Sequence, residues 1–148
     1  MRPSIFSDHG EAFGQRNTPH HSTSMYEELL HVPLLIRGCD IEPTRVDIPV
    51  ALIDLGPTIL DLFGQPTPSH FMGQSLVPIL WGESPVFTRP IYAKGRLKRA
   101  MIFDDGVKFI EDERTGLVEV YEFDRDPDEL TNLADNEEIS ALPLALLR

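Results

Sequence analysis

The chain has 148 residues, 41% hydrophobic and 25% charged, values that exclude a disordered or fibrous protein. Its 13 Lys and Arg residues face 24 Asp and Glu residues, so the net charge of −11 excludes general binding to nucleic acid, and any anionic substrate must be held by a metal or a few placed cations. The single cysteine excludes an internal disulfide, and no apolar run approaches the ~20 residues that span a bilayer.

The N-terminal region is predicted to hold two short strands and a short helix. Pro3–Phe6 is predicted as a strand, although a strand usually has about 5–6 residues. Ser24 and Glu27 have the spacing of a capping box, which predicts Ser24 as N-cap and Glu27 as N3 of a helix through Leu30. The proline-led apolar run Pro33–Ile36 ends this helix and predicts a strand covered on both faces, as in α/β sheets.

The middle of the chain predicts one longer helix and then a connection. Val50–Phe63 has apolar residues at helical spacing, with Asp54 as N-cap and Gly64 as the C′ stop. Gln65–Pro90 is rich in proline, which predicts a surface connection with a short amphipathic turn around Leu76–Leu80. The sequence therefore predicts two parts, residues 1–80 and residues 81–148.

The second part is predicted to be a small antiparallel sheet. Asp-Asp-Gly at 104–106 and Arg-Thr-Gly at 114–116 separate short β-rich runs, and such turns are hairpin signals. The predicted strands are Ile91–Ala93, Ala100–Phe103, Val107–Ile110 and Leu117–Tyr121.

Asp8, His9 and Gly10 form the motif with the clearest chemistry. A carboxylate and an imidazole at the C-terminal end of a strand can both turn into the crevice where open α/β sheets bind ligands. Gly10 would let the backbone turn sharply. Taken alone, Asp-His-Gly also fits an N-cap and turn that holds no metal.

Several blocks occur in an order that resembles the C-terminal part of sulfatases. The blocks are SDHGEAFG (7–14), HHSTSMYEELLHVPLLIRG (20–38), RVDIPVALIDLGPTILDLFG (45–64), GQSLVPIL (73–80), DDGVKFI (104–110) and VYEFDRDPDELTNLAD (120–135). The resemblance implies the C-terminal part of an alkaline-phosphatase-like α/β sulfatase fold: residues 1–80 would belong to the α/β domain with its metal-ligand loop, and residues 81–148 would form a small antiparallel β subdomain.

The resemblance implies that Asp8 and His9 bind a divalent cation. Calcium is the ion expected for the family, whereas the imidazole of His9 leaves manganese or another transition metal open. The ion would polarise a sulfuryl oxygen of a sulfate ester, either a small molecule or a sulfated sugar.

Two further residues receive roles from the resemblance. His21 falls where many relatives carry a histidine or lysine, and it could protonate the leaving group. Arg16 is the candidate for contact with the substrate anion. The alternatives are that His20 and His21 lie in a polar loop and that Arg16 is a solvated surface residue.

Sulfatases carry a formylglycine made from Cys or Ser in a Cys/Ser-x-Pro-x-Arg motif. Cys39 is followed by Asp-Ile-Glu-Pro, so it is not that residue. We therefore expect the formylglycine and a second acidic pair to lie on a missing N-terminal lobe, and we expect little turnover by this chain alone. We also expect weak metal binding, because two ligands cannot fill a calcium shell of ~6–8 oxygens. Any signal peptide would lie in that lobe, so the compartment stays open.

The other polar residues are predicted to be structural. Lys108 is expected to be a solvated strand residue, and Asp54 and Asp61 a cap and an exposed face. Asp124–Asp128 lacks the Gly and Glu of a calcium loop, which favours a turn. Two rival functions stay open: a phosphonate monoester or phosphodiester hydrolase of the same superfamily, and a noncatalytic truncated product or interaction module.

Overall fold

The computed structural model describes residues 4–14, 24–38, 41–83 and 89–134. Contacts within the chain define two compact units. The first unit is Met1–Phe6 with Leu34–Thr88, and the second is Ser7–Pro33 with Arg89–Arg148. The predicted domain boundary between residues 80 and 81 stays a prediction. In the contact-based division, Asp8 and His9 belong to the same unit as the C-terminal sheet.

The first unit contains a two-stranded antiparallel sheet of β1 (Ser4–Phe6) and β2 (Leu34–Ile36). Both strands were predicted and both are confirmed. Ile5 pairs with Leu35 in the register, and their side chains are 65% and 58% exposed. The expectation that the second strand is covered on both faces is therefore wrong for the part of the chain that the structure describes.

The predicted longer helix is also confirmed. A 3₁₀ turn at Leu52–Asp54 leads into α2 (Leu55–Leu62), which ends before Gly64, where φ is 64°. The predicted short turn is α3 (Val77–Leu80). The apolar side of α2 and one face of the β1–β2 sheet line a shallow groove formed by Ser4, Phe6, Ile36, Leu55, Thr58, Ile59, Leu62 and Phe63.

Asp54 occupies the N-cap position of α2, as predicted, but its side chain makes no cap hydrogen bond to this helix, and the residue is only 1% exposed. Its carboxylate accepts the backbone N–H of Ala51 at 2.9 Å and that of Gln74 at 2.8 Å. It therefore ties the segment after α2 to the turn before it. Asp61 lies on the exposed side of α2, as predicted, and accepts a hydrogen bond from Ser75 Oγ at 2.5 Å.

The second unit contains the predicted antiparallel sheet, with four strands in the order β3-β4-β5-β6. The strands are β3 (Ile91–Lys94), β4 (Lys98–Ile102), β5 (Val107–Asp112) and β6 (Val118–Glu122). Gly106 and Gly116 supply the positive φ angles of 83° and 72° that the two predicted turns need. Local turn chemistry therefore sets the connections of this sheet.

Both faces of the sheet are covered. One face packs Ala100, Ile110 and Tyr121 against Met25 and the short helix α1 (Glu27–Leu30), and the other packs Met101, Phe109 and Val120 against Leu133 and Ala134. The sheet thereby holds α1, and α1 lies beside the segment that carries Asp8 and His9.

The capping box predicted for α1 is wrong. The N-cap position is Tyr26, with no side-chain cap of its own, and Ser24 Oγ accepts the N–H of Tyr26 at 3.3 Å instead. The acceptor for the Glu27 N–H is Glu129, whose Oε2 lies 2.8 Å away and comes from 102 residues further along the chain.

Candidate metal centre

Asp8 and His9 lie in the loop Ser7–Gly14, which directly follows β1. Ser7 Oγ donates to the His9 carbonyl at 2.7 Å, and the His9 N–H donates to Asp8 Oδ1 at 3.2 Å. The Asp8 side chain is 85% exposed and the His9 side chain 50%. The local hydrogen bonds fold the loop, while both functional groups stay accessible.

The imidazole of His9 has a defined orientation. Its Nδ1 lies 2.7 Å from the carbonyl oxygen of Gly10, and its Nε2 lies 4.0 Å from Asp8 Oδ1. The bond to the Gly10 carbonyl, and then the charge of Asp8, raise the pKa of His9 from its ordinary value of 6.5. A ring that donates from Nδ1 to a backbone carbonyl presents Nε2 as the ligand atom, which is the usual arrangement in metal-binding histidines.

These two side chains fit a divalent ion as part of its ligand set. Ligand bonds to such ions are about 2.0–2.6 Å long, so two atoms 4.0 Å apart can reach one ion. Among residues 4–14, 24–38, 41–83 and 89–134, no group of three or more His, Cys, Asp or Glu side chains could hold a metal. A third ligand of the His, Cys, Asp or Glu type would therefore come from outside the described residues.

Gly10 places the loop against α1. Its N–H donates to the carbonyl of Leu29 at 2.8 Å, and a Cβ at this position would lie 2.1 Å from the carbonyl oxygen of Glu28. Sequence reasoning predicted Gly10 for a sharp turn, but its φ is not among the positive ones that the structure shows. The glycine is needed because two backbone segments approach closely.

Lys108 is not the solvated residue that was predicted, because its side chain is completely buried. Its Nζ lies 2.9 Å from Glu27 Oε1 and 2.7 Å from Glu129 Oε1. Burial raises the pKa of Glu129, and Lys108 opposes this rise. Sequence reasoning missed Glu27 and Glu129. Strand alternation could have predicted the burial of Lys108, because it places Lys108 on the same face of the strand as Ile110.

The remaining site predictions lie outside the described residues. These are Arg16, His20, His21 and Cys39. The Asp124–Asp128 stretch forms turns, as predicted, and Asp126 accepts the N–H groups of Leu130 and Thr131 at 3.0 and 2.8 Å. No helix in the described part of the chain has the length and apolar character needed to cross a membrane.

Known proteins were compared with this chain by sequence. The Sulfatase family model matches residues 4–65. Arylsulfatase K of Xenopus laevis is 32% identical over 144 residues, which cover 86% of this chain and 27% of the relative. The chain thus spans about a quarter of the length of the curated relatives it matches.

Solved structures give the same result. An enzyme in complex with its substrate D-glucosamine-2-N,6-O-disulfate matches with a TM-score of 0.72 and 25% identity, over 93% of this chain and 30% of that one. The phosphonate monoester hydrolase from Silicibacter pomeroyi matches with a TM-score of 0.77 and 26% identity, over 97% of this chain and 32% of that one. The family model over residues 4–65, the arylsulfatase relatives and the fold all support the sulfatase family as the family that this chain is similar to.

Proposed function

We propose that this chain is the C-terminal part of a metal-dependent hydrolase of sulfate esters. Sulfatases as a family use a metal ion and formylglycine. The observation that carries the proposal is the exposed pair of Asp8 Oδ1 and His9 Nε2, 4.0 Å apart, with the other ring nitrogen held by the Gly10 carbonyl. The formylglycine would lie in the portion of the family fold that these residues do not span.

In this proposal each described residue has a defined task. Asp8 and His9 hold the ion, which we propose to be calcium, and a bound ion of this kind polarises a sulfuryl oxygen. The Gly10 carbonyl keeps the His9 ring in one orientation, and Ser7 braces the loop through the His9 carbonyl. We keep His21 as the proposed proton donor to the leaving group and Arg16 as the proposed anion contact.

The substrate class follows from chemistry and from the neighbours. The net charge of −11 disfavours polyanions, so a substrate anion needs the local positive charge of an ion. One structural neighbour holds a sulfated glucosamine as its substrate. We therefore propose a sulfated sugar or another small sulfate ester as the substrate.

A second candidate function is hydrolysis of phosphonate monoesters. The observation in its favour is the fold match to the hydrolase from Silicibacter pomeroyi, at 26% identity. The two functions share the loop, so only the relative rates on an aryl sulfate and an aryl phosphonate ester separate them.

The test uses the protein translated from the full reading frame that contains this sequence. Replacing Asp8 with Asn should lower kcat/KM on an aryl sulfate by about 10²–10³-fold, because one charged ligand of the ion is lost. Asp47→Asn is the matched control, since Asp47 is an exposed carboxylate paired with Arg45. We expect the control to keep full activity.

Two results would contradict the proposal. Unchanged activity in Asp8→Asn would show that Asp8 does not bind an ion that the reaction needs. A reading frame without a Cys/Ser-x-Pro-x-Arg segment, and no turnover of either ester, would favour the noncatalytic rival.

A further inference from the structure

A buried ion cluster lies between α1 and the sheet. It consists of Lys108, Glu27 and Glu129, and the side chains of Lys108 and Glu129 are fully excluded from solvent. Two carboxylates around one ammonium are a costly way to fill a core, and apolar residues of the same size often stabilise a protein at least as well. We therefore ask which part of the structure this cluster holds in place.

The cluster holds the first turn of α1. Glu129 Oε1 faces Lys108 Nζ at 2.7 Å, while Glu129 Oε2 accepts the N–H of Glu27 at 2.8 Å. The first N–H groups of a helix have no partner inside the helix, and a four-residue helix cannot stand alone in water. The position of α1 thus depends on Glu129, and the orientation of Glu129 depends on Lys108.

The helix passes this position on to the loop with Asp8 and His9. The Leu29 carbonyl accepts the Gly10 N–H at 2.8 Å, and the Gly10 carbonyl accepts a hydrogen bond from His9 Nδ1 at 2.7 Å. The close approach of Gly10 to the Glu28 carbonyl leaves the loop little room to shift independently of α1. A continuous series of contacts therefore connects Glu129 with the His9 ring, all of it within the second unit.

We propose that Lys108 and Glu129 are positioning residues for the Asp8–His9 pair, acting through α1 and Gly10. Neither residue touches the ion or the substrate. The functional consequence rests on the proposed metal-binding role of Asp8 and His9, whereas the mechanical coupling can be tested without it.

The experiment measures amide hydrogen exchange of Gly10, relative to the amides of β5, in the protein translated from the full reading frame that contains this sequence. Glu129→Leu removes the acceptor for the Glu27 N–H, and we expect Gly10 to exchange about tenfold or more faster. Glu129→Gln keeps an acceptor oxygen, and we expect the rate to stay within about threefold of the unmodified protein. Glu111→Leu is the matched control, because Glu111 pairs with Arg99 at 2.7 Å on the same sheet and its side chain is also largely buried.

Equal acceleration of Gly10 in Glu129→Leu and Glu111→Leu would overturn the proposal, since it would show only general destabilisation. An unchanged rate for Gly10 in Glu129→Leu would also overturn it. If Glu129→Leu does not fold, Lys108→Met takes its place, because it removes the partner of Glu129 Oε1. Faster exchange of Gly10 in Lys108→Met than in Glu111→Leu supports the proposal, and equal exchange counts against it.

A titration with Mn²⁺ separates this inference from the proposed function. We expect Mn²⁺ to broaden the ring signals of His9 in the unmodified protein, and to require about tenfold more ion in Glu129→Leu. An absence of broadening in the unmodified protein would count against the metal site, while the exchange rates would still decide on the coupling.

Discussion

Gly10 joins the two segments that together shape the candidate metal centre. Its missing side chain allows the loop to lie against the backbone of Glu28 and Leu29, and its carbonyl orients the His9 ring. The neighbouring groups are backbone atoms, which cannot rotate away as a flexible side chain could.

Replacing Gly10 with Ala should therefore push the loop away from α1. The added Cβ would lie 2.1 Å from the Glu28 carbonyl oxygen, and overpacking of this kind costs about 1–3 kcal/mol. We expect this loss in the free energy of unfolding in urea, together with loss of the Gly10–Leu29 hydrogen bond. Glu11→Ala, at the exposed next position, should change stability by less than about 0.5 kcal/mol, and an equal loss in both variants would contradict the steric argument.

At the residue scale, the sequence predicts a site when its functional side chains are neighbours along the chain. Asp8 and His9 are neighbours, so their chemistry is visible in three letters of sequence. Lys108 and Glu129 meet Glu27 across 81 and 102 residues, and no local pattern reports such a contact. The capping box failed for this reason, because a distant carboxylate replaced the local cap.

Among the elements, β6 carries a carboxylate, that of Glu119, which accepts three hydrogen bonds from other side chains. Glu119 accepts from Lys98 at 2.6 Å, from Tyr26 at 2.5 Å and from Tyr121 at 2.9 Å. Burial raises the pKa of Glu119, but these hydrogen bonds outweigh burial and bring the pKa below its ordinary value of 4.5. The ionised carboxylate thus joins β4, β6 and the start of α1.

This lowered pKa predicts a pH-dependent loss of stability. A carboxylate with a lower pKa in the fold than in the unfolded chain contributes stability above the unfolded pKa, and the contribution disappears as pH falls through the folded pKa. We expect Glu119→Gln to lower the free energy of unfolding by about 1–3 kcal/mol at pH 7, and the difference from the unmodified protein to shrink below about pH 4.5.

Chemical denaturation at a series of pH values measures this difference. Glu113→Gln is the control, because its partner Lys94 is 55% exposed and such surface pairs contribute little. A difference between Glu119→Gln and the unmodified protein that stays constant from pH 7 to below pH 4 would contradict the linkage.

At the element scale, the sequence predicted most of the secondary structure. The strands β3 to β6 follow from local turn residues, and α2 from its apolar spacing and Gly64. Burial was less predictable, since Leu35 is exposed and Lys108 is buried, against both expectations. Burial depends on which distant segment covers a face, and strand propensity contains no such information.

For the whole molecule, the main feature is the face of the β1–β2 sheet that the described residues leave exposed. Ile5 and Leu35 face the same side in the register and are largely exposed. We propose that this side is covered by the part of the family fold that this chain does not span. The boundary near residue 80 is likewise kept as a proposal.

The exposed pair predicts self-association of the isolated chain. An apolar face beside open strand edges tends to pair with another copy. We expect the average mass in sedimentation to rise with protein concentration, and Leu35→Lys to reduce this rise. Leu130→Lys is the control, because Leu130 is 77% exposed but lies outside this sheet, and a monomer at all concentrations would contradict the prediction.

The bond between Glu27 and Glu129 also constrains the order of events during synthesis. These residues are 102 positions apart, so the ribosome must release almost all of the described chain before α1 acquires its acceptor. Contacts of such high sequence separation form late and slow folding. A nascent chain that stops before residue 129 would thus already contain Asp8 and His9, the proposed ion ligands, yet lack the contact with Glu129 that we infer fixes their geometry.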